Sequence, residues 1–481
     1  MTLETSEARP TIAPNPLAQM PASRLLDGYA SGAWTPTEVV EAVIDAIERS
    51  DAELNIVATP LFESARAEAA KATADWKAGR PAGPLAGVPV TVKDLVFVAD
   101  APYRAGAPAL AGFRAPADAA AVERIRAAGA ILTCKTTTCE SGYKLTADSP
   151  VTGITRNPWN PNHTSGGSSG GAAAGVAAGC GPLALGTDGV GSIRVPSAFC
   201  GVVGVKPTFG LVPRSPGYSP PSWASLAHTG PIARTVADAA ALLSVIAGYD
   251  ARDAASAPGT GGYSYSADLK SLKGVAVAAS IDFGYAPVDP EVRRAFGEAI
   301  DTLRRLGAVV REDAIRLPSN VLDATLKPIA FSEQAAAACG RAPEDFARSE
   351  AEYRDVIRQG KAYSATDYIV AGYRREALRA LFLDLFKSSE LLVTPTVAVV
   401  AFPAGAIGVD AIDGQKVDPH LGWSPFTWPL NLVGLPAATI PCGLSRDGLP
   451  IGLQIIAPWL QEQSMLTMAA ALEDAFGPLA H

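Results

Sequence analysis

The sequence lacks a basic face. Lysine and arginine number 40 against 48 aspartates and glutamates, for a formal net charge of −8, and Arg374-Arg375 is only a short pair. Recognition of nucleic acid needs clustered cations facing phosphates, so no nucleic-acid partner is expected. Long apolar runs are missing as well. The stretch Ala172 to Gly179 is mostly Ala and Gly, far short of the roughly 20 residues that span a bilayer, so no membrane role is expected. Met1 to Pro16 is polar and proline-bearing, without the basic-then-apolar order of a secretory signal. The cysteines Cys134, Cys139, Cys180, Cys200, Cys339 and Cys442 are spread along the chain with neither a disulfide framework nor paired CxxC spacing. They read as reduced thiols, and the expected location is cytoplasmic. Histidine is scarcer still, with His163, His228, His420 and His481 far apart. No ligand cluster follows from such spacing, so neither metal nor cofactor is expected. His163 lies near a glycine-rich stretch but has no G-x-S-x-G elbow beside it and reads as a loop residue.

What is present is an ordinary globular composition, 48% hydrophobic and 18% charged, in a chain of 481 residues that can bury a large core. Thr35-Pro36-Thr37-Glu38 is a capping box with Pro at the first helical position, followed by Val39, Val43, Ile44 and Ile47 at helical spacing. A second helix is expected over Phe62 to Trp76. Val88, Val90 and Val92 alternate with Pro89, Thr91 and Lys93, a strand pattern. Helix Ala119 to Ala128 then feeds the apolar run Ile131 to Cys134. Further helices are expected over Ala172 to Ala178, Val236 to Ala247, Glu291 to Leu306 and Gln463 to Phe476. Strands are expected at Pro182 to Gly186, Gly274 to Ala279, Ala308 to Arg311, Leu391 to Thr394, Ala438 to Pro441 and Gly452 to Ile456. Ser256 to Ser266 reads as a surface linker. This α/β alternation predicts a single large α/β/α domain over 1–481, with a mixed, many-stranded sheet flanked by helices. Within it, 1–80 is mainly helical, 81–250 carries the chemistry, 251–400 is the variable substrate side, and 401–481 returns to the sheet.

The chemistry concentrates between Thr164 and Pro207. Two serine sites, in TSGGSSGG and in LGTDGVGSIRVPS, sit among glycines, each just before a small-residue segment able to start a helix. Glycines let backbone N–H groups converge, and a helix start adds unpaired donors. Together these can hold a developing oxyanion. A lone GGSSGG is more readily a turn or linker. It is not a phosphate loop, because no Gly-Lys-Ser/Thr follows. With histidine so placed, an activated serine here needs another base.

Gly87-Val88-Pro89-Val90-Thr91-Val92-Lys93-Asp94, Gly166-Gly167-Ser168-Ser169-Gly170-Gly171 and Asp188 through Arg194 resemble the three hallmark blocks of the amidase-signature family, in its order and at its usual spacing. Thr155 to Trp159, Gly204 to Thr208, Asn431 to Pro441 and Pro450 to Gln454 extend the resemblance over nearly the whole chain. It implies cleavage of a carboxamide through an acyl-enzyme on Ser192. Ser168, following a cis peptide bond in the family, would relay the proton, and Lys93 would be the base. An apolar setting among Val88, Val90, Val92 and Val96 suits that role, because burial lowers a lysine's pKa. Standing alone, Lys93 would read as a surface lysine paired with Asp94. The implied oxyanion hole is the backbone N–H groups of Gly189, Val190, Gly191 and Ser192. Val190 stands where the family more often has glycine, and a β-branched residue resists positive φ. Ser169, Asp188 and Arg194 are expected to brace these groups.

The same family contains the glutamine-hydrolysing component of a tRNA-dependent amidotransferase, which is the alternative activity. Against it, the stretch matching that component's acid before Pro-x-Asn reads WSPFTWPLN, and no arginine-tyrosine block like that component's is found in the Ala330 to Tyr373 region. A non-catalytic binding protein on the same scaffold would require loss of a triad residue, and all three are present. The expected partner is a small-molecule amide, apolar or aryl, with esters or carbamates as further candidates and a homodimer left open. Tyr143, Tyr218, Trp223, Trp423, Phe426 and Trp428 are candidate pocket residues; core packing is the equal alternative for such aromatics.

Overall fold

Along the strand Pro89–Lys93 every residue is buried, and successive side chains point to opposite faces of a covered sheet. The computed structural model describes residues 15–217, 226–257, 264–267 and 271–479. Its sheet strands are β1 Val57–Pro60, β2 Pro89–Lys93, β3 Ile131–Thr136, β4 Leu183–Asp188, β5 Val203–Lys206 and β6 His228–Ala233. After the expected linker, of which 258–263 lie outside the described residues, come β7 Ala276–Ala279, β8 Val309–Arg311, β9 Leu391–Pro395, β10 Ala437–Leu444 and β11 Pro450–Ile456. All belong to one sheet, in the order β1-β3-β2-β4-β6-β5-β10-β11-β9-β7-β8. The sheet is mixed. β2 runs parallel to β3 and β4, and β7 runs parallel to β8 and β9. Antiparallel pairs from β4 through β6, β5, β10 and β11 to β9 join these two parallel blocks. Strands from both sides of Ser256 to Ser266 therefore share one sheet, as the α/β reading expected.

Both sheet faces are packed. On β4, Leu183 and Leu185 join the apolar cluster of the helix Val236–Ile246, whereas Ala184 joins that of the helices Pro36–Leu54 and Gly170–Ala177. The helix Pro36–Leu54 begins as its sequence dictates: Thr35 Oγ1 accepts from the Glu38 N–H, and Glu38 Oε2 accepts from the Thr35 N–H at 2.7 Å. Thr35 and Thr235 each cap a helix, so the starts of both were set locally. The strands β1, β5 and β6 and the helix Arg194–Cys200 were not expected. β6 reads HTGPIA and is buried throughout, so it carries no alternation to detect. His163, expected in a loop, lies in the short strand Asn160–Thr164 and bridges to Pro403. No helix among the described residues is long and apolar enough to cross a membrane.

Candidate active site

Three elements meet at one point of the sheet. β2 ends on Lys93, the glycine segment before the helix Gly170–Ala177 supplies Ser168 and Ser169, and the turn after β4 supplies Ser192. Lys93, Ser168, Ser169 and Ser192 are all buried. The Gly167–Ser168 peptide bond is cis. Lys93 Nζ lies 2.7 Å from Ser168 Oγ, 2.9 Å from Ser169 Oγ and 2.9 Å from Thr187 Oγ1.

Counting hydrogens constrains these contacts. A neutral amine has two N–H bonds and one lone pair. Ser169 Oγ donates its own hydrogen to Thr187 O at 3.1 Å, so it can only accept from Lys93. A neutral Lys93 that donates its second N–H to Thr187 Oγ1 keeps its lone pair for the Ser168 hydroxyl. Burial lowers the Lys93 pKa to about 7, against the opposing pull of Cys139 and Asp188. A free amine is then well populated near neutral pH. The expected alternative pairing with Asp94 does not occur: Asp94 turns away and ion-pairs with Lys135 at 2.6 Å.

Ser192 Oγ is buried and makes no hydrogen bond with any described residue. The turn that carries it is pinned by Asp188, whose carboxylate accepts from the N–H groups of Gly191 at 2.8 Å and Ile193 at 3.1 Å. Arg194 holds the same carboxylate with Nη2 at 2.9 Å and Nε at 3.0 Å. Its remaining donors go to Thr427 O, Gln454 Oε1 and Asn431 Oδ1. Burial would push the Asp188 carboxyl up, but Arg194, Asn431 and Lys206 outweigh it and hold the group well below the usual carboxylate range.

This bracing changes the expected oxyanion hole. The Gly191 N–H is committed to Asp188, whereas the N–H groups of Gly189, Val190 and Ser192 have no such acceptor among the described residues. Val190 is not a positive-φ residue; Gly191 takes the left-handed position instead, at φ 133°. A Cβ on Gly191 would stand 2.5 Å from Thr427 Oγ1, so glycine is required there on two counts. Thr427 Oγ1 also donates to Val190 O at 2.8 Å and fixes the peptide that follows Val190.

Ser168, Ser192, Gly189 and Val190 line one narrow cleft, about 60 Å³, with Leu95, Gly142, Tyr143, Thr187, Leu226, Phe331, Glu333, Gln334 and Leu421. Of the six aromatics proposed from sequence, Tyr143 lines it. Trp423, Phe426 and Trp428 do not: they are core. Trp423 stacks on Phe199 at 5.9 Å, Phe426 packs on Phe283 at 5.5 Å, and Trp428 is buried in the same apolar cluster. Tyr218 and Trp223 lie outside the described residues. Thr187, Thr427, Phe331 and Gln334 were missed; none has a local signature, and only the fold brings them here. None of the described histidines hydrogen-bonds Ser168 or Ser192: the His228 ring, for example, contacts Leu226 O and Asp188 O. Among the described residues there is no group of three or more His, Cys, Asp or Glu able to hold a metal.

Residues 38–466 match the family model described as Amidase. The chain is 34% identical to an acylamidase of Rhodococcus erythropolis over 94% of each protein. It is also 36% identical to a component of the glutamyl-tRNA(Gln) amidotransferase of Salinispora arenicola, over 96% of this chain and 98% of that one. A solved structure of a bacterial aryl acylamidase of the amidase-signature enzymes superposes with a TM-score of 0.89 at 30% identity, covering 96% of this chain and 97% of the other.

Proposed function

From the premise that the chain belongs to the amidase family and is a hydrolase of carboxamide C–N bonds, we propose that Ser192 is its nucleophile, Ser168 its proton relay and Lys93 its base. One observation carries these roles: the buried Lys93 amine stands 2.7 Å from Ser168 Oγ, and Ser168 shares a cleft with Ser192, whose Oγ stands unpartnered among the described residues.

In the acylation step, Ser192 Oγ attacks the carbonyl carbon while its proton passes to Ser168 Oγ and the Ser168 proton passes to Lys93. The carbonyl oxygen, now negative, is met by the N–H groups of Gly189, Val190 and Ser192. The C–N bond breaks as the proton returns along the same path to the departing nitrogen, leaving Ser192 acylated. Water, deprotonated by the same relay, cleaves the ester and restores the free enzyme.

The apolar walls Leu95, Tyr143, Leu226, Phe331 and Leu421 favour a small apolar or aryl amide. Esters of the same acyl group are further candidates, because they need the same nucleophile and hole. A cytoplasmic setting belongs to the same proposal and is supported by six unpaired thiols, five of them buried. The similarity to the amidotransferase component favours glutamine hydrolysis as the second reading. Trp423 to Asn431 carries no carboxylate to meet an α-ammonium group, which ranks it second, and Glu333 is the carboxylate that lines the cleft among the described residues.

The test is covalent labelling by a fluorophosphonate, with the labelled peptide mapped. Label on Ser192, lost in Ser192→Ala, together with hydrolysis of simple amides by the isolated chain, supports the assignment. Glutaminase activity that emerges only with partner proteins would reverse the ranking.

A further inference from the structure

The catalytic cleft does not end blindly. Leu95, Ser141 and Gln334 are shared between it and an adjoining chamber of about 450 Å³. The cleft alone holds about 60 Å³, enough for the amide and its nearest atoms, so any larger group of the substrate extends into the chamber.

The place where the two spaces join decides which end of the amide that group is on. Gly142 marks the junction. A Cβ added to it would stand 2.8 Å from Leu95 Cδ1 and 3.5 Å from Ser168 Oγ, and its neighbour Ser141 lines both spaces. The chamber therefore opens beside Ser168. The oxyanion donors Gly189 and Val190, with Leu226 and Leu421, line the cleft and not the chamber. In the acylation step the carbonyl oxygen lies against Gly189 and Val190, while the nitrogen lies against Ser168, which returns its proton. A substituent on that nitrogen has the chamber beside it, and the acyl group is left with the small remainder of the cleft.

The chamber walls select the kind of substituent. Phe97 and Tyr103 meet edge to face at 4.6 Å, and Phe113 packs on Phe97 at 5.8 Å and on Tyr103 at 5.9 Å. Phe113 is left 42% exposed, apolar area that a bound ring would cover. Across from this cluster stands the end of the helix Lys327–Ala337. Arg341, in the turn after it, is committed within the protein. Its Nη2 donates to Ser141 Oγ at 3.0 Å, and its buried Nη1 faces Glu140 Oε1 at 3.8 Å. The walls thus match an uncharged ring.

We infer that the chamber is the leaving-group subsite, so that the enzyme acts on amides whose nitrogen carries an uncharged aromatic group and whose acyl group is small. This rests on the amidase reading of the cleft and assigns the two ends of the substrate, which that reading leaves open.

Two isomers test it. N-benzylacetamide and N-methyl-2-phenylacetamide place the same ring on opposite sides of the scissile bond and release primary amines of similar basicity. The first should be favoured in kcat/KM by roughly tenfold to a hundredfold, the gain from burying one ring. Ala337→Phe fills the chamber and Phe113→Ala removes part of its aromatic wall. Each should lower hydrolysis of N-benzylacetamide, chiefly through KM, and leave its isomer largely unchanged. Equal handling of the isomers, the opposite preference, or variants that slow both alike would overturn the inference. A second readout does not need turnover. Cys339 lines the chamber and is the exposed thiol among five buried ones. In Ser192→Ala, N-benzylacetamide should slow alkylation of Cys339 more than its isomer does, and equal protection counts against the chamber's role. If neither isomer turns over and no fluorophosphonate labels Ser192, the amidase roles have failed, and the Cys339 protection still decides the subsite.

Discussion

Lys93 and Asp94 are adjacent in sequence and form no ion pair with each other. The Asp94 carboxylate pairs with Lys135 at 2.6 Å and accepts from the N–H groups of Arg104 and Ala105, while Lys93 turns to Ser168, Ser169 and Thr187. β2 ends between them: Lys93 is its last residue, and Asp94, in the turn that follows, faces Lys135 and the Arg104–Ala105 backbone. A base that kept its neighbouring carboxylate would remain charged and could accept no proton.

Activity should therefore rise with pH through about 7, where buried Lys93 loses its proton. The sign follows from the role: the charged amine present at lower pH has no lone pair for Ser168. The logarithm of kcat/KM for an amide should climb with unit slope below that pH and level off above it. A flat profile between about pH 5 and 9 would remove Lys93 as the base.

Lys93→Ala should damage an amide more than the ester of the same acyl group. Both need Ser192 deprotonated, but only the amine must be protonated to leave. A general acid–base step contributes about 10²–10⁴-fold, so the difference between the two losses is measurable as kcat/KM. Equal losses would restrict Lys93 to taking the first proton.

Gly191 and Gly189 should answer differently to alanine. At Gly191, positive φ and the 2.5 Å approach of Thr427 Oγ1 both oppose a Cβ. Thermal unfolding of Gly191→Ala should show a loss of about 1–3 kcal/mol or more. A Cβ on Gly189 meets nothing within 4 Å, so Gly189→Ala should unfold close to the parent. The reverse order would mean that the turn is built otherwise.

Removing Arg194 should be among the most destabilising single changes. Arg194→Leu would leave the fully buried Asp188 carboxylate without its countercharge, a loss of about 3–5 kcal/mol. Because the Asp188 pKa is depressed in the fold, its contribution is present above the unfolded carboxyl's pKa and fades as pH falls toward the folded value. Arg194→Leu should accordingly unfold at lower denaturant concentration near neutral pH, with the gap narrowing in strong acid. A midpoint unchanged at neutral pH would show the pair to be dispensable.

Sequence alone determined whatever rests on contacts between near neighbours or on a residue type with a single use. The capping box at Thr35 and Glu38, the alternation of Val88, Val90 and Val92 with Pro89, Thr91 and Lys93, and the glycine surroundings of Ser168 and Ser192 are of this kind, and they made the family resemblance and the α/β sheet legible. Tertiary structure decided the rest. Trp423, Phe426 and Trp428 have the composition of a pocket and the positions of a core, because an aromatic's fate depends on which face of its segment meets the sheet. Thr427 reaches the Ser192 turn across more than two hundred residues, and Arg341 reaches Ser141 across two hundred. No local pattern encodes such meetings. The Gly191 N–H shows the same division: sequence marks it as a flexible donor, and only the buried carboxylate of Asp188, held in place by Arg194, determines what it donates to.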